Sequence, residues 1–225
     1  MTVAPAYQML AERLRVDIIS GQLRPGERLP TEPQLCEQSG LSRSTVREAL
    51  RLLSSQHLIV TTRGVNGGSF VAEPDPRQLG ETLSDGVGRL LTSGAVTSDD
   101  FLEVRRMLEV PAAGLAASRR LPHHLADLER AMFDPDRDDI ERRIEAHAAF
   151  HLGVAAATGN SLLGLVARPL YTMTDRRSVE RVAPLPFWRT VDRDHRALLA
   201  AIRDGEVARA MELARAHIDN VRPAS

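Results

Sequence analysis

The chain has 225 residues, of which 43% are hydrophobic, so it is long enough for two small domains or one large one with a real core. Its 29 basic residues are all arginine, and the net charge of -1 excludes a histone-like polycation. Leu, Ala and Val dominate the apolar content, which favours helices. No apolar run reaches membrane-spanning length and no signal-peptide pattern begins the sequence, so we expect a cytoplasmic protein.

The first elements along the chain are two helices. Apolar residues at helical spacing predict an amphipathic helix over residues 7–20, which Gly21 ends. Thr31 and Gln34 have the spacing of a capping box, which predicts that a second helix begins there and covers residues 33–38.

A third helix follows after a tight turn at Ser39-Gly40. Ser42 is suited to be its N-cap, and its apolar stripe leaves hydroxyl and guanidinium groups free on the other side. These free groups belong to Arg43, Ser44, Thr45 and Arg47. Helix, Gly-containing turn and helix is the helix-turn-helix arrangement, whose second helix lies in the major groove of DNA.

Two short strands are predicted next, at residues 58–62 and 69–72, with the Gly-rich segment RGVNGG between them. Three helices followed by a hairpin predict a winged helix-turn-helix. The proline-rich segment after the hairpin breaks regular structure and predicts a linker. The predicted domains are a DNA-binding domain at 1–73, a linker at 74–82 and a second domain at 83–225.

The second domain carries helical patterns and no strand-like alternation. The predicted helices cover residues 79–92, 99–119, 123–133, 137–157, 161–178, 187–203 and 206–221. Pro111 either kinks one of them or marks its true start. The fold class is therefore mainly α, with a winged helix-turn-helix followed by an all-α antiparallel helix bundle.

The first domain resembles the GntR family of bacterial transcription regulators through GQLRPGERLPTE, LSRSTVREALRLL and RGVNGGSFV. The second resembles the FCD ligand-sensing domain of the FadR subfamily through EVRRMLE, HAAFHLGVAAATGN, Asp194-His195 and His217-Ile218. The resemblance implies a double-stranded DNA operator as partner. It assigns DNA contacts to Arg43, Ser44, Thr45 and Arg47, and to the wing at Arg63 and Gly64.

The implied DNA contacts differ in kind. We expect Arg43 to read a base edge and Arg63 to contact phosphate or the minor groove. The alternative for Arg47 is an ordinary solvated helix charge. The family also places an arginine where this chain has Pro33, so one expected contact is missing.

Four histidines fall on apolar helical stripes. His147 and His151 are four residues apart and project from one face, while His195 and His217 belong to two other helices. Neutral imidazoles from three helices can converge on a divalent metal inside a bundle. The alternative is a set of hydrogen-bonded core histidines.

The resemblance makes the metal site more specific. Metal-binding FCD domains use an Asp, a His four residues later and two further His, which correspond here to His147, His151, His195 and His217. Because His147 replaces the Asp, the site is richer in nitrogen and should prefer zinc, with nickel as the alternative. Glu145 and Asp194 are candidates for hydrogen bonding to the ligand rings, and solvated charges are the alternative.

Arg105 is the candidate effector-binding residue. In metal-dependent FCD domains the Arg of the matching R-x-x-L-E pattern faces the effector cavity, which implies a contact between Arg105 and the carboxylate of a small organic acid. The alternative is a helix-surface ion pair with Glu109, four residues later.

Together the two halves predict a transcription regulator, a repressor, that binds a palindromic operator as a homodimer and senses a small carboxylate in a metal-containing bundle. We expect neither enzymatic activity nor membrane association. Two alternatives stay open at this point, namely a metal-dependent enzyme that uses the histidine cluster and a direct sensor of the metal ion.

Overall fold

The computed structural model describes residues 4–64, 67–176 and 181–221. The chain forms two compact units, Met1–Asp75 and Pro76–Ser225, which correspond to the two halves of the sequence pattern. Among the described residues, no helix is both long and apolar enough to cross a lipid bilayer.

The first unit is a winged helix-turn-helix, as predicted. Its elements are α1 (Ala6–Ile19), α2 (Glu32–Ser39), α3 (Arg43–Ser55), β1 (Ile59–Thr62) and β2 (Gly68–Val71). The two strands are antiparallel, with Ile59 opposite Val71 and Thr62 opposite Gly68. Of the predicted hairpin tip, Val65 and Asn66 lie outside the described residues.

Local capping fixes the helix-turn-helix geometry. The Gln34 side chain accepts hydrogen bonds from the backbone N–H of Thr31 at 2.8 Å and from its hydroxyl at 2.9 Å, where α2 begins. Gly40 ends α2 in the left-handed conformation at φ 68°, which a residue without Cβ adopts at little cost. The Ser42 hydroxyl then accepts the N–H of Thr45 at 3.2 Å, so the predicted N-cap of α3 is present.

One apolar cluster holds this unit together. Side chains from all three helices and from both strands are buried in it, chiefly Leu10, Leu14, Leu35, Val46, Leu53, Ile59 and Val71. Because α3 packs its apolar face against this cluster, its opposite face is exposed to solvent or to a partner.

The second unit is a helix bundle. Its elements are α4 (Pro76–Thr92), α5 (Ser98–Arg119), α6 (Pro122–Arg130), α7 (Ile140–Ala157), α8 (Ser161–Arg176), α9 (Leu185–Asp204) and α10 (Val207–Asn220). The main difference from the sequence prediction is that α4 begins at Pro76, so most of the predicted linker 74–82 is helical. Proline is tolerated in the first turn, where no intrahelical partner is needed for its missing N–H.

Pro111 does not start a helix, because α5 runs through it. Proline removes a hydrogen bond to the carbonyl of the residue four positions earlier, here Met107. Pro111 lies on the exposed side of α5 and Met107 is 63% exposed, so water can replace the missing donor.

The core of the bundle is built around α5, which packs against α7, α9 and α10. Leu128, Phe150, Ile202 and Ile218 are fully buried there, and small residues such as Ala113 let the helices approach closely. As a result, the inward faces of α7, α9 and α10 meet in one place.

Candidate metal centre and nucleic-acid interface

The four predicted ligand histidines come together in the second unit. α7 contributes His147 and His151, α9 contributes His195 and α10 contributes His217. Each offers a ring nitrogen, and these nitrogens all lie within 4.8 Å of one another. The residues are 2%, 5%, 0% and 1% exposed, in chain order. Nitrogens bound to one ion at about 2.1 Å lie roughly 3.4 Å apart, so small movements of the rings would bring the four nitrogens around one ion.

Several ring nitrogens in this cluster have no hydrogen-bond partner. Both nitrogens of His195 and Nε2 of His151 and His217 are buried without a donor or acceptor. Because buried polar atoms are normally hydrogen-bonded, such a concentration needs an explanation. Lone pairs converging from three helices fit a divalent transition metal and do not fit ordinary hydrogen-bonded core histidines.

Carboxylates lie beside two of the rings. Oε2 of Glu109 lies 3.1 Å from Nδ1 of His151, which assigns the proton to Nδ1 and leaves Nε2 as the ligand atom. Oδ2 of Asp194 lies 3.4 Å from Nδ1 of His217 and accepts a hydrogen bond from the Asn220 side chain at 2.9 Å. Asp194 therefore has the position expected of a supporting residue, whereas Glu145 is exposed.

The electrostatics keep the rings of His151, His195 and His217 neutral and the Glu109 carboxylate ionised. Burial lowers the pKa of His151 to about 3, and it also lowers the pKa values of His195 and His217. Burial alone would raise the pKa of Glu109, but the Arg105 charge and the contact with His151 outweigh it and hold that pKa below its usual range. Neutral imidazole is the form that binds metal.

Aromatic side chains pack around the cluster. Phe150 stacks on His195 with ring centroids 4.0 Å apart, and Tyr171 stacks on His151 at 5.2 Å. Trp188, the sole tryptophan, meets His147 edge-on at 6.2 Å. These contacts restrict the orientation of three rings without supplying hydrogen bonds to their nitrogens.

Arg105 is buried and forms an ion pair with Glu109. Its Nε donates to Oε1 at 2.5 Å, and its Nη2 donates to Oε2 at 3.2 Å. The pairing that sequence offered as the alternative is thus present, but in the interior, where both side chains are about 5% exposed. Sequence reasoning considered Glu109 only as the partner in an alternative surface ion pair, and it missed the contact between Glu109 and His151.

A small closed cavity lies beside the histidines. Its volume is about 10 Å³, room for about one water molecule. The described residues that line it are Glu109, Ala113, His151, Val154, Tyr171, Leu198, Ala214 and His217. Arg105 is not among them, although its guanidinium donates to the Glu109 carboxylate that does line the cavity. An open groove of about 550 Å³ in the same unit shares none of these residues.

In the first unit, the predicted DNA-contacting residues lie at the start of α3 and at the end of β1. Arg43, Ser44 and Arg47 are exposed and Thr45 is half-buried. The hydroxyls of Ser44 and Thr45 lie 2.9 and 2.8 Å from the Ser42 hydroxyl, which holds both of them near the N-terminus of α3. A row of hydroxyl and guanidinium groups at a helix N-terminus suits a polyanion.

Arg47 is held by a carboxylate. Its Nε donates to Oε2 of Glu32 at 2.8 Å, so the interaction links α3 to the first residue of α2. Next along α2 is Pro33, which is exposed and has no donor, consistent with the contact that sequence predicted to be missing.

The predicted wing contacts are exposed. Arg63 and Gly64 follow β1, and Gly64 has a φ of 112°, which favours glycine. Sequence reasoning overlooked Arg28, whose side chain donates to the carbonyl of Gly67 and lies 5.9 Å from the Phe70 ring. No motif signalled this contact, because it depends on how the segment before α2 packs against the hairpin.

Comparisons with known proteins agree with both halves of the structure. Residues 6–71 match the model of the gntR family of bacterial regulatory proteins, and residues 100–220 match the FCD domain. The chain is 29% identical over 211 residues to the HTH-type transcriptional regulator LutR of Bacillus subtilis, covering 91% of this chain and 94% of LutR.

A second relative is the putative L-lactate dehydrogenase operon regulatory protein of Escherichia coli. It is 28% identical over 216 residues, covering 94% of this chain and 83% of that protein. Among solved structures, Streptococcus agalactiae GntR has the same fold, with a TM-score of 0.63 and 24% identity over 97% of this chain and all of the other.

These families and relatives are transcription regulators, so the alternative of a metal-dependent enzyme is not supported. The matched regions cover most of the first unit and residues 100–220 of the second, and α4 lies outside both of them. The chain belongs to the GntR family of bacterial transcription regulators, in the group whose second domain is an FCD domain.

Proposed function

We propose that the protein is a metal-dependent repressor that binds a palindromic operator as a homodimer and responds to a small organic acid. The observation that carries the metal part is the set of four buried histidines whose ring nitrogens lie within 4.8 Å of one another. The DNA part is supported by the exposed residues at the start of α3 and by family membership.

His147, His151, His195 and His217 would hold the ion. An all-imidazole set favours zinc or nickel over magnesium or manganese, which prefer oxygen ligands. A bound divalent ion supplies a positive centre that can anchor one oxygen of a carboxylate. Glu109 and Asp194 support this role because each lies against Nδ1 of a ligand ring.

The acid is proposed from chemistry and from one relative. The E. coli relative is named for an L-lactate dehydrogenase operon, so L-lactate is the first acid to test. A cavity of about 10 Å³ cannot take a three-carbon acid without opening. Binding would therefore require the walls to part, which gives the acid a different affinity for the closed and open states, as a switch requires.

Dimerisation follows from the operator. One helix-turn-helix covers one half-site, and two-fold symmetry of the protein matches a palindrome. Two recognition helices that must meet successive major grooves would be sensitive to a change in the bundle that alters their spacing.

The test begins with the operator, found by selecting bound fragments from genomic DNA with tag-free protein. Fluorescence anisotropy then measures operator affinity after EDTA treatment, after zinc is restored, and with L-lactate added to the zinc form. We expect L-lactate to weaken operator binding only when zinc is present. The proposal is refuted if operator affinity changes neither with zinc nor with any acid tried. The proposed dimer is refuted if light scattering finds only monomer.

A direct metal sensor is the second candidate, and the closed cavity favours it, since the ion alone needs no opening. In that case zinc or nickel would change operator affinity and organic acids would add nothing. The same titration separates the two.

A further inference from the structure

We propose that Glu109 determines effector specificity by accepting a hydrogen bond from a ligand hydroxyl, so that 2-hydroxy acids bind and the corresponding 2-oxo acids are rejected. The inference rests on the proposed effector site and assigns to Glu109 a role that the sequence pattern gave to Arg105. It concerns discrimination between ligands, which can be measured separately from any effect on DNA.

The cavity presents one charged side chain. Among the described residues that line it, Glu109 is the only carboxylate, while Ala113, Val154, Leu198 and Ala214 are apolar. Arg105 does not line the cavity, so Glu109 is the charged side chain that a ligand there would contact. The group that it brings to that point must therefore suit a carboxylate.

Glu109 is fixed as a hydrogen-bond acceptor. Nε and Nη2 of Arg105 donate to its two oxygens, and Nδ1 of His151 lies 3.1 Å from Oε2. Because all three partners are donors, the carboxylate stays ionised and in place, and it has no proton to give. An ionised carboxylate has about four acceptor sites, so one remains for a ligand.

The chemistry then separates two classes of acid. A hydroxyl next to the ligand carboxylate can donate to Glu109, whereas an oxo group there would place two acceptors in contact. The cavity also borders the rings of His151 and His217, so an acid bound there after the walls part would lie beside both Glu109 and the histidine cluster. The apolar wall suits a short alkyl group.

The experiment compares three acids of equal length, L-lactate, pyruvate and propionate, by isothermal titration calorimetry on the zinc-loaded full chain. We expect wild type to bind L-lactate about ten- to a hundredfold more tightly than either of the others, the range for a hydrogen bond to a charged group. In Glu109→Gln, the amide can donate to an oxo group, so the lactate-to-pyruvate ratio should fall at least tenfold.

Three controls separate specificity from structure. Glu103→Gln, an exposed carboxylate on the same helix, should keep the wild-type ratio. Glu109→Asp, which keeps the charge, should retain a preference for L-lactate. Zinc content and the thermal melt show whether Glu109→Gln is loaded and folded, and a merely structural role would weaken all acids equally without changing the ratio.

The outcomes are distinct. Equal binding of L-lactate and pyruvate to wild type, or an unchanged ratio in Glu109→Gln, overturns the role of Glu109 and leaves the proposed effector site standing. Failure of all three acids to bind wild type overturns both. If Glu109→Gln does not fold, the wild-type preference and the Glu109→Asp ratio decide, and loss of preference in Glu109→Asp counts against the proposal.

Discussion

Replacing His195 with leucine should separate a metal ligand from a core residue. His195 is fully buried, stacks on Phe150, and has no hydrogen-bond partner at either ring nitrogen. A buried polar group without a partner costs roughly 1–3 kcal/mol. Leucine has a similar volume, and such exchanges cost under about 1.5 kcal/mol. The free energy of unfolding of metal-free His195→Leu should therefore equal or exceed that of wild type, by up to about 2 kcal/mol.

Metal should reverse this order of stability, so that wild type becomes more stable than His195→Leu. An ion at 100 times its dissociation constant adds about 2.7 kcal/mol to the stability of the protein that binds it. For a chain of this size each kcal/mol shifts the melting temperature by about 2–4 °C, so wild type should gain roughly 5–11 °C. His195→Leu lacks one of four ligands and should gain much less at the same zinc concentration.

The assay is thermal unfolding by circular dichroism with tag-free protein, first in EDTA and then with zinc or nickel. His123→Leu, at an exposed histidine, is the matched control and should gain as much from metal as wild type. The reasoning fails if His195→Leu is more than about 1 kcal/mol less stable than wild type in EDTA, the cost typical of a histidine with real partners. It also fails if the variant keeps the full metal gain.

Three further predictions concern pH and DNA. In EDTA, the free energy of unfolding should fall as pH drops below about 6.5, since burial lowers the pKa values of His151, His195 and His217 and the unfolded chain then takes up protons that the folded chain does not. Urea unfolding at pH 7.5 and 5.5 checks this, and equal values contradict it. Arg43→Ala should reduce the free energy of operator binding by about 1–3 kcal/mol and relax discrimination at one base pair. Arg63→Ala should weaken binding to all DNA sequences alike. Fluorescence anisotropy on operator and on scrambled DNA distinguishes the two variants. Glu32→Gln should raise affinity for all DNA about two- to fivefold while lowering preference for the operator, because it releases Arg47. Glu48→Gln, whose carboxylate pairs with Arg51, is the control, and unchanged preference in Glu32→Gln would contradict a positioning role.

Features set by neighbouring residues could be predicted from the sequence. The caps at Ser42 and Gln34 act within three residues, so the predicted starts of α2 and α3 agree with the structure to within one residue. The spacing of His147 and His151 fixes a shared helix face, and that face is where the structure places them. The histidine cluster followed once each of three helices had a histidine on its apolar stripe.

Contacts between distant elements could not be predicted in the same way. Glu109 and Arg105 have the spacing of a common surface ion pair, and only the packing of α5 against α7 makes the pair a buried partner of His151. Arg28 lies 39 residues before Gly67, so no local pattern connects them. The helix predicted at 79–92 begins three residues earlier in the structure, because a proline such as Pro76 indicates a break inside a helix but is tolerated in a first turn.

The closed cavity beside the histidines has a consequence for sensitivity. If only one molecule in a hundred is open before ligand binds, an intrinsic dissociation constant of 1 µM gives an apparent dissociation constant of about 100 µM. Under the proposed function, the acid concentration that gives a response would then depend on how easily the apolar walls separate, and less on the groups that contact the acid. Replacing a wall residue such as Leu198 with a smaller one would tune this chain to a scarcer or more abundant metabolite. Such a change leaves Glu109 and the histidines in place, so the chain would still recognise the same metabolite.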